Sequence, residues 1–207
     1  MPKISEQQKE AVRVEILNAA REVFIEKGFE AASMKEIVGR SGKSFGGVYM
    51  YYSNKEGVFL DLLRRQYVGM SQDVALPNPK SGWDTFRLFL QDQERRVKEA
   101  GNGLSPSMYE YFIVGRRDSI RRKWNEERRQ AVFYSILGLI HDGVKKGEFN
   151  PSIPVDTIIH FLISFLEGIF LESIITGPEG IGIGNQFVLL EDMSRSILMP
   201  LNKEESK

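Results

Sequence analysis

The chain has 207 residues, with 28 lysines and arginines balanced by 28 aspartates and glutamates, and no cysteine. That balance argues against coating nucleic acid by bulk charge and leaves room for a local basic face. The missing cysteine removes disulfide frameworks, thiolate metal sites and thiol nucleophiles. The opening stretch MPKISEQQKEAVRVE lacks the apolar run of a signal peptide, so a cytoplasmic protein is expected.

The first helical signal is the recurrence of Val12, Ile16, Leu17, Ala20, Val23 and Phe24 at helical spacing; Arg13, Glu15, Arg21, Glu22 and Glu26 lie mainly elsewhere on the wheel, so one face must be buried. Gly28 supplies a stop, and Phe29 is placed to fold back on the last turn. Ser33 followed by Glu36 reads as a capping box opening a short helix with Ile37 and Val38 on its apolar side. Gly42 ends that helix, and Ser44 offers the next N-cap. A second box is expected from Ser53 to Glu56. Between the two lies room for about two turns of helix, carrying Phe45, Gly46, Gly47, Val48, Tyr49, Met50, Tyr51 and Tyr52. Two adjacent glycines there lower helix propensity by about 1 kcal/mol each relative to Ala, which suits a backbone that must come close to something. No acidic residue falls between Glu36 and Glu56, while Arg40, Lys43 and Lys55 flank the segment. A helix-turn-helix presented to double-stranded DNA follows.

At these residues the chain resembles the TetR family of transcriptional repressors. ILNAAREVFIEKGFEAAS looks like the family's first helix, and MKEIVGRSGKSFGGVYMYYSNKEGVF is similar to its signature of Gly turn, Ser-x-Gly-small-aliphatic-Tyr and aromatic-x-x-Lys-acidic. The resemblance implies that Ser33 and Lys55 hold phosphates and that Lys43 and Ser44 open the recognition helix. It further implies that Phe45, Gly46 and Gly47 face the bases and that Tyr49 and Tyr51 bond to the DNA backbone. Gly39, Ser41, Lys43 and Met50 depart from the usual pattern, so base preference does not carry over. It also implies an all-α, dimeric regulator with residues 1–57 as the DNA-binding domain and 58–207 as a helical ligand-binding and dimerisation domain. Its operator should be palindromic and its release driven by a small hydrophobic or amphipathic effector.

Further along, Ser53 to about Gln72 reads as one long helix with Val58, Phe59, Leu62 and Leu63 inside, and Ala75 to Gly82 is the best break. Helical periodicity resumes at Trp83 and stops before Gly103; further helices start at Ser105-Pro106 and at Asp118, the latter ending at Gly147. Trp83, Phe86, Phe89, Met108, Tyr109, Phe112, Trp124 and Phe133 supply more apolar surface than helix ends need, so an apolar cavity is expected, with Phe89, Phe112 and Phe133 in its wall and Tyr109 as a polar handle. A packed core uses the same residues. Pro154 to Thr176 is apolar enough to invite a transmembrane reading, yet Asp156, His160, Ser164 and Glu167 share one stripe, which fits a buried soluble helix and no membrane. Glu167 could serve as a ligand counter-charge, though a paired group is the commoner case. The last two helices, with Gly168, Ile169, Leu190, Met193 and Ile197, are expected to form the homodimer interface if they pair with twofold mates; an intrachain core is the alternative.

Enzyme signals are weak, and neither a cofactor nor a metal is expected. Gly42-Lys43-Ser44 imitates the end of a phosphate-binding loop, but Ile37 stands where its first glycine belongs and no strand precedes it. Gly180, Gly182 and Gly184 do not match a dinucleotide fingerprint. Two histidines, His141 and His160, cannot build a zinc site unaided. A helical small-molecule-binding or scaffolding protein without DNA activity is the competing class.

Overall fold

The computed structural model describes residues 5–72 and 81–199, and of 67–72 the backbone alone. Among them the regular elements are all helical: α1 (Glu6–Ala31), α2 (Met34–Ser41), α3 (Phe45–Tyr49), α4 (Lys55–Gln72), α5 (Gly82–Lys98), a 3-10 turn (Ala100–Asn102), α6 (Ser105–Val114), α7 (Ser119–Lys145), α8 (Val155–Thr176) and α9 (Ile183–Leu198). The expected break over 75–82 falls mostly outside the described residues; Ser81 caps α5 by accepting the Asp84 N–H.

Packing groups the helices into two units. One holds α1–α4 and α6; the other holds α5 and α7–α9. This grouping differs from a division of the chain at residues 57 and 58, because α4 and α6 pack with the N-terminal helices. In the first unit, Phe24, Phe29, Phe59 and Tyr111 form an aromatic cluster with ring centroids 4.7–5.9 Å apart, so α1, α4 and α6 share one core. α6 is tied to α1 by polar bonds as well. The Ser107 hydroxyl donates to the Phe24 carbonyl at 2.6 Å, and Glu110 Oε2 accepts the Phe29 N–H at 2.6 Å. Gly28 makes that bond accessible: its φ of +79° bends the helix where a longer residue would be strained, and a Cβ there would collide with the Glu110 carboxylate. Gly28 therefore interrupts α1 as its place in the sequence suggests: the regular helix stops there, and a short helical turn carries the element on to Ala31.

Helix starts follow the sequence with two corrections. Ser33 and Glu36 close both arms of the expected box, and Asp118 accepts from Ile120 and Arg121 to start α7. The box expected at Ser53 and Glu56 is not what starts α4. Asn54, one residue later, accepts the Gly57 N–H at 2.8 Å, while Glu56 accepts the Tyr111 hydroxyl at 2.7 Å; Asn is as good a cap as Ser, and the phenol claims the carboxylate. Likewise Ser105 lies inside α6, whose N-cap is Leu104 without a side-chain cap bond. A further box, Ser5 with Gln8, opens α1 earlier than its apolar periodicity suggested.

The second unit is built on the apolar residues of α5, α7, α8 and α9, with Phe86, Leu90, Ile140, Ile159, Leu162, Phe187 and Leu190 at its centre. Its helix ends meet closely at Gly143, where a Cβ would overlap the Phe149 ring. α8 is long and apolar enough to cross a membrane by length and composition. Its inner face nevertheless packs into this core, while Asp156, His160, Ser164 and Glu172 lie exposed along the outside.

Candidate nucleic-acid interface

The turn between α2 and α3 is short for a stereochemical reason. Gly42 adopts the left-handed conformation at φ +65°, ψ +12°, and the Ser41 hydroxyl donates to the Val38 carbonyl at 2.9 Å while accepting the Lys43 N–H at 3.3 Å. Ser44 then caps α3 by accepting the Gly47 N–H at 3.1 Å. The helix closes only from Phe45 to Tyr49, shorter than the two turns expected, since the two glycines weaken it and Met50 already caps its end.

α3 is held by one buried side chain, Val48. Around it Phe45 is 55% exposed, Tyr49 48% and Met50 76%, with Phe45 and Tyr49 stacked at 6.5 Å. Gly46 and Ser44 are exposed too. Large apolar side chains on a short helix anchored at one point form a surface made to meet something, and its size fits a DNA groove better than a protein core. Behind α3, Tyr52 is buried and its hydroxyl donates to Asp61 at 2.5 Å; burial, and then the Asp61 carboxylate, hold this phenol above its usual range.

The residues expected at phosphates are placed unequally. Tyr49 is exposed. Tyr51 is half-buried beneath the Arg13 guanidinium, 5.7 Å from its ring centre. The Ser33 hydroxyl donates to Glu36 at 2.8 Å, so its proton is already committed to the capping box. Ion pairing with Lys27, then the Ser33 hydroxyl, pull Glu36 down to about 2. The depressed value means that the contacts of this carboxylate, the Lys27 one foremost, contribute stability above the unfolded carboxylate range that is lost as pH falls through about 2. Lys55 departs furthest from expectation. Its ammonium donates to the carbonyls of Phe29 at 2.8 Å, Glu30 at 2.8 Å and Ala32 at 2.9 Å, and lies 4.7 Å from the centre of the Phe29 ring. Three N–H groups meet three acceptors, so Lys55 clamps the last turn of α1 instead of reaching outward. Lys43 turns back to the Glu15 carboxylate. Lys35, in the first turn of α2, escaped the sequence reading; it is exposed, and its position two residues past the Ser33 cap was the available signal.

The other expected site residues are divided by the fold. Phe89 and Phe133 are half-buried against the core of the second unit, whereas Tyr109 and Phe112 lie half-buried on α6 in the first; no single unit gathers all four. Glu167 pairs with Arg128 at 2.7 Å, and the His160 ring lies against Phe133 at 5.3 Å. An open cleft of about 380 Å³ is lined by Lys98, Pro178, Glu179, Gly182, Ile183, Gly184 and Asn185, none of them an expected ligand residue. Of the expected dimer residues, Ile169 and Leu190 are buried within the subunit's own core, and Ile197 packs partly against it. Gly168 and Met193 are exposed. Beside Met193, the large apolar residues that α8 and α9 leave outside are Phe161, Ile175, Val188 and Leu189. Helical spacing marked both faces of these helices as apolar, so it could not say which faced in.

A capped helix, a left-handed glycine turn and an outward second helix anchored by one buried side chain define a helix-turn-helix DNA-binding protein. Comparison with known proteins agrees and narrows the class. Residues 16–62 match the family described as bacterial regulatory proteins, tetR family, and residues 85–183 match the tetracyclin repressor-like C-terminal domain. The HTH-type transcriptional regulator YfiR of Bacillus subtilis is 31% identical over 169 residues, spanning 81% of this chain and 82% of YfiR. The HTH-type transcriptional repressor AcnR of Corynebacterium diphtheriae is 26% identical over 197 residues, spanning 95% of this chain and 98% of AcnR. Among solved structures, a TetR transcription regulator from Haloarcula marismortui superposes with a TM-score of 0.78 at 17% identity, covering 91% of this chain and 99% of that one. The chain belongs to the TetR family and is a DNA-binding transcriptional regulator.

Gly46 and Gly47 differ in what a side chain would meet. A Cβ at Gly47 would stand 3.1 Å from Ser44 Oγ and disturb the cap, whereas a Cβ at Gly46 meets nothing within 4 Å. Gly46→Ala should therefore leave the free protein as stable as before, or up to about 1 kcal/mol more so. Its affinity for bound genomic DNA should fall about tenfold or more, a loss of about 1.4 kcal/mol. Thermal melts paired with fluorescence anisotropy check both halves; unchanged affinity would take the Gly46 backbone out of the groove.

Proposed function

We propose that the protein is a cytoplasmic, homodimeric repressor that binds an approximately palindromic operator and is released from it by a small hydrophobic or amphipathic ligand. The observation carrying this reading is the outward face of α3, with Phe45, Gly46, Tyr49 and Met50 exposed around a single buried anchor. Two such helices related by a dyad would enter successive major grooves about 34–36 Å apart. Lys43, Ser44, Phe45, Gly46 and Gly47 then face the groove, with Phe45 suited to a thymine methyl. Tyr49, Tyr51 and Lys35 take phosphates, and Ser33 contributes by fixing the start of α2. For dimerisation, the exposed apolar residues on α8 and α9, together with Gly168 and Met193, offer a surface to a second copy.

Effector release follows from connectivity. α6 is bonded to α1 and α4 through Ser107, Glu110 and Tyr111, yet in the chain it runs directly between α5 and α7. A ligand at Tyr109 and Phe112 that favours a shifted α6 would move the helix-turn-helix with it, and can weaken DNA binding only by the difference in its affinity for the two arrangements. The test is recovery and footprinting of bound genomic fragments. An inverted repeat, with protection lost on adding a hydrophobic compound that also raises the melting temperature, is the expected result; a protected site without dyad symmetry would overturn the dimeric operator reading.

A further inference from the structure

Apart from Lys35, the helix-turn-helix cations described above are engaged inside the protein. The partners of two of them are arranged in a way the DNA-binding reading does not by itself require. Glu15, Glu22 and Glu26 are spaced by seven and four residues, which at 100° per residue places them within about 40° on one side of α1. All three are more than half exposed. Lys43, at the turn opening α3, pairs with Glu15. Arg40, at the end of α2, donates to Glu22 at 3.1 Å and Glu26 at 2.7 Å. One carboxylate row thus holds the two cations that border the α2–α3 turn. Neither pair is needed to hold α1 against α2, which share the buried residues Ile16, Ala20, Val23, Ile37 and Val38.

We propose that this acidic row on α1 is a specificity determinant: it competes with DNA phosphates for Lys43 and Arg40, so that the two cations transfer to DNA only when the duplex is docked in register. The inference rests on the reading of the α2–α3 turn as the DNA-facing surface. Non-specific association is almost wholly electrostatic and scales with the number of phosphates neutralised. A loosely held duplex offers no phosphate at the fixed distance needed to displace a bonded carboxylate, so the row keeps both cations. At the operator, base contacts by α3 hold a phosphate in place and the exchange becomes favourable. An exposed ion pair is weak enough to be exchanged in this way. Net neutrality of the chain fits a regulator that limits binding to non-operator DNA.

The probe is a fluorescein-labelled duplex of mixed sequence, titrated by anisotropy over a salt series with the full-length protein. Glu15→Gln keeps helix propensity and shape and should tighten binding to this duplex about two- to fivefold, the fold-change equivalent of a surface pair. The salt slope should steepen by about one as Lys43 becomes available. Adding Lys43→Gln to Glu15→Gln should return the slope to the parent value. Glu22→Gln with Glu26→Gln should repeat the pattern through Arg40. A Glu15→Gln protein with parental melting temperature, affinity and slope would overturn the proposal while leaving the DNA-binding reading intact. Tighter binding that persists unchanged in the Lys43→Gln background would overturn it too, since the effect would then be bulk charge. Absence of salt-dependent binding by every variant, the parent included, would instead remove the DNA-facing assignment on which the proposal rests.

Discussion

Glutamate at Leu189 is expected to yield a folded monomer that no longer holds its operator, whereas glutamate at the adjacent Leu190 is expected to destabilise the subunit itself severely. Leu189 is 59% exposed on α9 and Leu190 2% exposed in the core, so one residue of register separates the two outcomes. At Leu190 an unpaired charge would be buried among Ile163, Phe187 and their neighbours, a change expected to cost about 4 kcal/mol or more out of a total stability of roughly 5–15 kcal/mol. At Leu189 the charge faces solvent in the single subunit and matters only where a second copy covers it. Splitting the dimer turns bivalent binding into two independent weak contacts, a loss on the order of 10²-fold or more. Light scattering reports the mass, circular dichroism the fold and anisotropy the affinity. A Leu189→Glu protein that remains a dimer with parental DNA binding would place the interface elsewhere, with Phe161 and Ile175 on α8 as the next surface to test.

That contrast shows where sequence reading succeeds and where it stops. Ser33, Glu36, Gly42 and Ser44 were legible because capping and left-handed turns are local: each depends on residues no more than three or four away, and the structure closes each of them as the chemistry demands. Asp118 was legible for the same reason. The start of α4 was misread although the signal was local, because two good caps stood side by side and a residue far along the chain, Tyr111, took the carboxylate that would have completed the first. The inner and outer faces of α8 and α9 could not be separated at all. Leucine, isoleucine and phenylalanine occupy both sides, and only the positions of α5 and α7 decide that Ile169 and Leu190 face in. The expected ligand residues are divided for another reason: Tyr109 and Phe112 stand near Phe89 and Phe133 in sequence, but α6 carries a serine, a glutamate and a tyrosine that bind it to α1 and α4. Those three polar residues were visible in the sequence; nothing in their spacing named their partners.

Lys55 is the residue for which the family pattern and the structure lead to opposite experiments. If its ammonium sat on a phosphate, Lys55→Met would lower the salt slope by about one and leave stability alone. The three carbonyl bonds of Phe29, Glu30 and Ala32 give the reverse expectation. Their acceptors end α1 at the junction from which Ser33 starts α2, where the preceding amide N–H is already held by Glu110. The Phe29 peptide is therefore gripped from both sides, its N–H by α6 and its carbonyl by α4. Methionine retains most of the stem packed on the Phe29 ring but leaves all three acceptors without the charged donor; hydrogen bonds to charged groups contribute about 1.5–3 kcal/mol each when fully formed. Because the site is half-buried and water can replace part of the loss, a net destabilisation of about 2–3 kcal/mol is expected, or a fall in melting temperature of roughly 4–12 °C for a chain of this size. DNA affinity measured well below the melting range should weaken, since the α1–α2 junction that orients the helix-turn-helix has lost its clamp. The salt slope should stay where it was, because no phosphate contact has been removed. Lys55→Arg should recover part of the stability through its several N–H donors, and with it the DNA affinity. A slope lowered by about one in Lys55→Met, with the melt unchanged, would put the ammonium on the DNA and make the carbonyl clamp a feature of the unbound protein alone.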